Sequence, residues 1–307
     1  MKDYKKLLVV IDPTKESQPA LGRALELSAK TGAQITAFLT IYDFSYDMTS
    51  MLSGEEREAM RDGVVADRKQ WLQELIAPVA SNVEVKVIWH NRPFESIINE
   101  VMANGFDMII KATHEHDMLK SIVFTPTDWH LLRKAPVPVL LVKEHEWPVN
   151  GKVVCAINVS DENEANHKLN RTIITTAKKL AKEIDAQVHL VNGFPSTPVN
   201  IVIELPDFDA AAYNASIHSQ HQSRVHDLAQ EFDIDPSCCH IEEGLAEEVI
   251  PAVAKRLDAE LVILGTAGRT GISAALIGNT AEHVIDSLDC DLLAIKPEGY
   301  VSPLVQE

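Results

Sequence analysis

The chain has 307 residues, 46% of them apolar, and a formal net charge of −17 at pH 7. This length predicts two domains of ordinary size. The acidic balance disfavours nucleic acid and anionic membranes as partners, and with no signal-peptide pattern and no run of 18 apolar residues, we expect a cytoplasmic protein.

Short apolar runs alternate with segments whose apolar residues recur every three or four positions. In the first half the predicted strands are 7–11, 35–41, 83–89, 108–111 and 137–143. The predicted helices are 20–30, 55–80 and 94–104, with one more before the last strand.

The second half repeats the first. "AQITAFLTIY" from Ala33 aligns with "AQVHLVNGF" from Ala186, 153 residues later, and this offset holds to "PVLLVK" over "DLLAIK". Upstream, "YKKLLVVIDPT" aligns with "NGKVVCAINVS" at an offset of 146, so the second copy carries seven extra residues. The repeat predicts two similar domains, 1–147 and 148–307.

The second half has the same order of elements. Its predicted strands are 153–157, 188–191, 238–242, 261–264 and 291–296, and its helices are 169–184, 210–232, 246–257 and one near residue 280. Alternating strands and helices predict an α/β fold with a doubly wound parallel sheet in each half. Ligands of such sheets lie beyond the carboxyl ends of the strands.

The stretch "LGTAGRTGISAALIGNTAEHVI", which begins at Leu264, places glycines between a strand and a helix. Gly265 and Gly268 allow a sharp turn and close backbone approach, and Gly278 precedes a helix start whose N–H groups suit phosphate oxygens. The stretch matches neither a Walker motif nor a dinucleotide fingerprint. The other interpretation is that these glycines form only a tight turn and a helix start.

A strand-one Asp or its substitute, followed by G-x-x-G-x9-G-[ST] after the fourth strand, resembles the universal stress protein family, and the duplication is similar to its tandem members. The resemblance implies two adenine nucleotide alpha hydrolase-like domains, packed as a pseudo-dimer through the last strands, 138–143 and 292–296. It also implies a stress-response protein without efficient catalysis that binds an adenine nucleotide (ATP or AMP, with Mg²⁺) in the second half only.

The resemblance carries the family's site residues over by position. The adenine end would lie at Asn158, with Gly193 near the end of the second strand. Around the phosphates would lie Leu264, Gly265, Thr266, Gly268, Gly278, Asn279 and Thr280. Asn158 replaces the family's Asp and Asn279 its Ser or Thr. Because an amide both donates and accepts, base recognition would be altered rather than abolished.

The first half keeps Asp12 but replaces the three glycines with Ala112, Glu115 and Thr125. A carboxylate at Glu115 would repel phosphates. We therefore predict no nucleotide site in the first half.

Several histidines suggest other chemistry. His114 and His116 would point the same way in an extended segment, but two ligands do not close a zinc site, so a polar loop is favoured. His218 and His221 share one helix face and His226 lies near it, and a solvated or interface face is favoured over a metal site with two or three histidines. We predict no metal. His130 and His283 occupy the same place in the repeat, which favours a common packing role.

Two apolar segments, 42–52 and 194–208, follow the second strands. They would pack against the other half or a second chain, giving a homodimer, or would line an apolar ligand pocket. The adjacent Cys238 and Cys239 are interpreted as reduced thiols or as a redox switch. No nucleophile–base pattern stands out. Besides nucleotide binding, two hypotheses stay open: a module that binds an apolar small molecule or a partner protein, and a weak ATPase.

Overall fold

The computed structural model describes residues 4–46, 52–116, 121–123, 125–143, 146–160, 163–197, 208–266 and 279–306. The chain divides into two compact units, the first formed by Met1–Glu144 with Val301–Glu307 and the second by His145–Tyr300. Within the described ranges, no helix is long and apolar enough to cross a membrane.

The first unit is a parallel sheet with helices between its strands. Its sheet strands are β1 (Lys6–Val10), β2 (Gln34–Ile41), β3 (Val83–Trp89), β4 (Met108–Ala112) and β7 (Val139–Val142). Its helices are α1 (Pro19–Thr31), α2 (Gly54–Ile76), α3 (Pro93–Asn104) and α4 (Pro126–Lys134). The strand order is β3-β2-β1-β4-β7, all parallel. This order brings the ends of β1 and β4 side by side, where ligands of such sheets bind.

A short hairpin stands where the first half lacks the glycines. Strands β5 (His114–His116) and β6 (Ser121–Val123) pair antiparallel, with Glu115 opposite Ile122. The predicted polar loop is therefore wrong for residues 114–116. Three-residue strands give too short a pattern to be told from a loop by periodicity.

The second unit repeats this architecture. Its strands are β8 (Lys152–Ala156), β9 (Gln187–Phe194), β10 (Cys239–Glu243), β11 (Leu261–Gly265) and β12 (Asp291–Ile295). Its described helices are α5 (Glu164–Ile184), α6 (Ala210–Glu231), α7 (Ala246–Leu257) and α8 (Asn279–Ser287). The order β10-β9-β8-β11-β12 is again all parallel. The predicted fold class is confirmed in both units, whereas their packing as a pseudo-dimer stays a prediction.

The helix ends also follow the repeat. Helices α1 and α3 end at Gly32 and Gly105, with φ of 71° and 65°. At the equivalent ends of α5 and α7 the second unit has Asp185 and Asp258, with φ of 55° and 53°. Both units thus end these helices with a left-handed residue, but only the first unit uses glycine, which adopts this conformation without strain.

The last residues of the chain pack on the first unit. The 3₁₀ turn Pro303–Gln306 contacts α3, and Ser302 is 1% exposed. The repeat alone does not predict that these residues pack on the first unit, because they follow the last strand and have no counterpart in the first half.

Candidate functional site

Asn158 lies at the carboxyl end of β8, as the resemblance implies. Its Oδ1 accepts a hydrogen bond from the Ser160 N–H at 3.0 Å, which closes a tight turn. The side chain of Asn170, on α5, holds the backbone of Asn158 from both sides: Oδ1 accepts from its N–H at 3.1 Å and Nδ2 donates to its carbonyl at 2.7 Å. The turn is therefore rigid, while the Asn158 side chain is exposed.

Two further side chains hold the loop that contains Asn158. Asn192 on β9 donates from Nδ2 to the Ile157 carbonyl at 3.0 Å, and Arg224 on α6 donates to the Val159 carbonyl at 2.7 Å. The Oδ1 of Asn192 lies 2.6 Å from Nδ1 of His221. Sequence analysis missed Asn170 and Asn192; the signal for both was a polar residue at a buried position of an apolar element.

Gly193, on β9, is closely packed against neighbouring backbone and side-chain atoms. A Cβ there would lie 3.2 Å from the carbonyl oxygen of Gly244 and 3.3 Å from the Cβ of Val249. The first unit has Thr40 and Ser96 at the places of Gly193 and Val249, with their hydroxyls 2.8 Å apart. Packing between strand and helix thus explains Gly193 without a ligand.

The end of β11 lies beside that of β8, because the two strands pair in parallel. A Cβ on Gly265 would lie 2.5 Å from Cδ2 of Leu169, so α5 packs directly against the glycine. Leu264 is buried, leaving only its backbone for a ligand. Thr266 is 2% exposed, and its N–H and hydroxyl both bond to the Ile295 carbonyl, at 2.9 and 3.4 Å.

The remaining predicted phosphate residues are described only in part. Gly268 and Gly278 lie outside the described residues, as do the side chains of Asn279 and Thr280. Helix α8 begins at Asn279. The assignment of these residues to a phosphate site stays a prediction.

Asp12 forms the same turn in the first unit. Its Oδ1 accepts from the N–H and the hydroxyl of Thr14, at 2.9 and 2.6 Å. Gln18 holds its backbone as Asn170 holds Asn158, with distances of 3.1 and 2.7 Å. The two units therefore present the same geometry at the end of their first strands.

The units differ at the end of the fourth strand. In the first unit, Nζ of Lys111 lies 2.7 Å from Oδ1 of the fully buried Asp128 and donates to the Ala112 carbonyl at 3.0 Å. Asp128 also accepts the N–H and hydroxyl of Thr125, at 2.7 and 2.8 Å, in a capping box at the start of α4. An internal carboxylate thus occupies the helix N-terminus, where an anion would otherwise bind. The side chain of Glu115 lies outside the described part of the structure.

Lys296 is a basic residue that sequence analysis missed at this edge of the second unit. It follows β12 directly, next to the carbonyl that Thr266 contacts. Its Nζ lies 4.7 Å from the centre of the Tyr300 ring, and burial lowers the lysine pKa to about 7. A lysine ends the last strand in both halves (Lys143 and Lys296), which was the available signal.

One histidine of α6 does not lie on a solvated face. His221 is 5% exposed, bonded to Asn192 and packed on the Phe194 ring, so a solvated position is wrong for this residue, whereas the interface alternative stays a prediction. Its position is explained by a polar partner on β9, which the helix sequence cannot reveal. In the described parts of the chain, no group of three His, Cys, Asp or Glu residues is placed to hold a metal ion.

His130 and His283 do not share a packing role, contrary to the prediction from the repeat. His130 stacks on Phe94 with ring centres 4.0 Å apart, and burial lowers its pKa. His283 is exposed, and the second unit has Glu247 at the place of Phe94.

The adjacent residues Cys238 and Cys239 are free thiols. Cys238 is 3% exposed, and burial raises the pKa of Cys239 to about 11. Because the thiolate is the reactive form, this environment favours inert reduced thiols over a redox switch.

The apolar segment after β2 is partly described. Tyr42 is 40% and Phe44 62% exposed, and the Tyr42 ring meets Trp89 edge-on at 5.9 Å. The segment after β9 places Phe194 in the core, while 198–207 lie outside the described residues.

Two comparisons with known proteins agree with this architecture. The Universal stress protein family model matches residues 3–143 and 152–296, and the chain therefore belongs to that family, with the domain in tandem. Universal stress protein E of Escherichia coli (strain K12) is 51% identical over 99% of this chain and 98% of its own length, and that of Salmonella typhi is 50% identical over the same shares.

Solved structures give the same result for the fold. A Pseudomonas aeruginosa PAO1 protein described as functionally unknown has a TM-score of 0.75 at 30% identity, covering 99% of this chain and 96% of its own. A universal stress protein from Archaeoglobus fulgidus has a TM-score of 0.57 at 17% identity, covering 95% and 96%. The predicted family and tandem arrangement are confirmed.

Proposed function

We propose that the chain is a cytoplasmic stress-response protein without efficient catalysis, whose second unit binds a purine nucleotide. Adenine nucleotides, ATP or AMP, are those that the family resemblance implies. The first unit would bind none, because Lys111 and Asp128 already occupy the corresponding place.

The main support for the proposal is a difference between the N-termini of α4 and α8, which are equivalent helices of the two units. In the first unit Pro126 lacks an N–H and Asp128 supplies an internal acceptor. The second unit has Asn279 and Ala281 at those positions, so it gains a backbone donor and lacks a carboxylate at the place of Asp128, while the first turn of α8 carries Glu282 one residue further on. Both changes favour an external anion at the helix N-terminus.

Isothermal titration with ATP and Mg²⁺ tests the proposal. We expect saturable binding to the natural chain and its loss in Gly268→Glu, which places a carboxylate where the first half has Glu115. Glu115→Gln is the matched control in the first unit and should leave binding unchanged. Absence of saturable heat with the natural chain, for both ATP and a 6-oxopurine nucleotide, would remove nucleotide binding as the function.

A weak ATPase is the competing assignment within the same site. The buried Thr266 hydroxyl is bonded to a backbone carbonyl, which opposes its use as a nucleophile. Phosphate release above a buffer blank, measured with Mg²⁺ present and lost in Gly268→Glu, would establish turnover and overturn the non-catalytic part of the proposal.

A second candidate function is binding of an apolar small molecule or a partner protein in the first unit. The exposed rings of Tyr42 and Phe44 favour it, because both residues follow the carboxyl end of β2, at the edge of the sheet where ligands bind. Native mass spectrometry of freshly purified protein would show a co-purified ligand directly.

A further inference from the structure

The two units form a matched pair of turns whose first residues, Asp12 and Asn158, differ in one heavy atom of the side chain. In each, a side-chain oxygen of the first residue accepts the N–H of the residue two positions later: Asp12 from Thr14 at 2.9 Å and Asn158 from Ser160 at 3.0 Å. A backbone N–H can only donate, so the Asn158 atom that receives it is Oδ1. The orientation of the amide is thereby fixed.

The second terminal atom of the side chain has opposite hydrogen-bonding character in the two residues. In Asp12 this atom is a carboxylate oxygen, which accepts. In Asn158 it is Nδ2, which carries two N–H donors. Asn158 is exposed, and among the described residues Nδ2 has no hydrogen-bond partner.

The amide cannot easily reverse. A flip would set Nδ2 against the Ser160 N–H, two donors facing each other, and would lose the 3.0 Å bond. The loop itself is held by Asn170, Asn192 and Arg224. The second unit therefore presents a preorganised donor.

We infer that the second unit selects a nucleotide whose base presents a carbonyl oxygen, as a 6-oxopurine does, over one that presents the 6-amino group of adenine. The inference rests on the proposed nucleotide binding with its base end at Asn158. Nδ2 can donate to O6, whereas against a 6-amino group it places donor against donor, and a site left with an unpaired donor discriminates strongly. The neutral amide also removes one negative charge from the cleft that receives a polyphosphate.

Titration of ATP and inosine triphosphate, which differ at purine position 6, tests this selection. We expect the natural chain to bind the inosine nucleotide about tenfold more tightly. Asn158→Asp should reverse the ratio by a similar factor. Asp12 shows that an Asp forms the same turn, so this variant should fold, and Asp12→Asn in the first unit is the matched control.

The outcomes separate the two proposals. Equal or tighter binding of ATP by the natural chain, or a ratio unchanged in Asn158→Asp, would overturn the base selection and leave nucleotide binding intact. If neither nucleotide binds saturably, nucleotide binding fails and the selection fails with it.

Discussion

Nζ of Lys111 lies 2.7 Å from Oδ1 of Asp128, and the carboxylate is fully buried at the start of α4. The repeat places Leu264 and Ala281 at these two positions in the second unit. One unit thus closes the end of its fourth strand with an ion pair, while its copy leaves the same place apolar. The nucleotide site that we propose for the second unit rests on this difference.

Removing one partner of this pair should destabilise the first unit. Lys111→Leu leaves the Asp128 carboxylate buried without its cation, which costs about 3–5 kcal/mol. The double variant Lys111→Leu/Asp128→Ala recreates the pair of the second unit and should be the more stable, although it loses the helix cap, worth about 1 kcal/mol. Urea-induced unfolding followed by circular dichroism measures both. A single variant as stable as the double would contradict the prediction.

The left-handed helix ends should respond to glycine. Asp185→Gly and Asp258→Gly remove the strain of a side chain at positive φ, and each should stabilise the fold by about 0.5–1 kcal/mol. Gly32→Asp makes the reverse change and should destabilise it by a similar amount. Thermal unfolding midpoints check the three variants, and an unchanged or lower midpoint for both glycine variants would count against the prediction.

Strand–helix packing at Gly193 should show coupling between two positions. Gly193→Thr forces atoms against the Gly244 carbonyl and Val249, at a cost of about 1–3 kcal/mol. Adding Val249→Ser recreates the Thr40–Ser96 hydroxyl pair of the first unit and should recover part of this loss. A double-mutant cycle by chemical denaturation measures the coupling, and strict additivity would refute it.

Acid should weaken the second unit through a pair of histidines, of which His189 is buried and His240 half-buried. Nδ1 of His189 lies 3.1 Å from Nε2 of His240, and burial, with the nearby charges of His240 and Lys152, lowers the pKa of His189 to about 4. Burial and Arg256 also lower the pKa of His240, against the opposing effect of Glu242. Below about pH 6.5 these two histidines therefore bind protons in the unfolded chain, where the histidine pKa is about 6.5, more readily than in the folded unit.

The resulting stability is complete above pH 6.5 and is lost as pH falls from about 6.5 toward 4. Unfolding midpoints between pH 7.5 and 4.5 should show this decline in the natural chain. In His189→Gln the decline should be shallower, whereas His283→Gln, which changes an exposed histidine of the same unit, should match the natural chain. Equal slopes for His189→Gln and the natural chain would rule out the pair as the cause.

Periodicity predicted most of the fold because each strand and helix buries a face that its own sequence encodes. Strand β3 was predicted with the bounds that the structure shows, and the repeat carried each assignment from one half to the other. The β5–β6 hairpin was not predicted, since its three-residue strands are held by pairing with each other rather than by an apolar face.

The candidate site was predicted less completely. The sequence indicated Asn158, Gly265 and Thr266, but it could not show that Thr266 is turned onto the Ile295 carbonyl or that Gly265 packs on Leu169. Nor could it reveal the supports from Asn170, Asn192 and Arg224, because these side chains are brought to the Asn158 loop from separate elements by folding.

The sequence by itself determined the family, the duplication and the parallel α/β fold, because apolar periodicity and internal alignment are properties of the chain read in order. Only the tertiary structure decided which contacts form at the carboxyl ends of the strands in each half. A buried charge needs a partner of opposite charge, and folding determines which residue that is. Asp128 pairs with Lys111, which lies 17 residues earlier in the chain. The orientation of a side-chain amide is likewise fixed only when a neighbouring N–H donates to its oxygen, as the Ser160 N–H does to Oδ1 of Asn158.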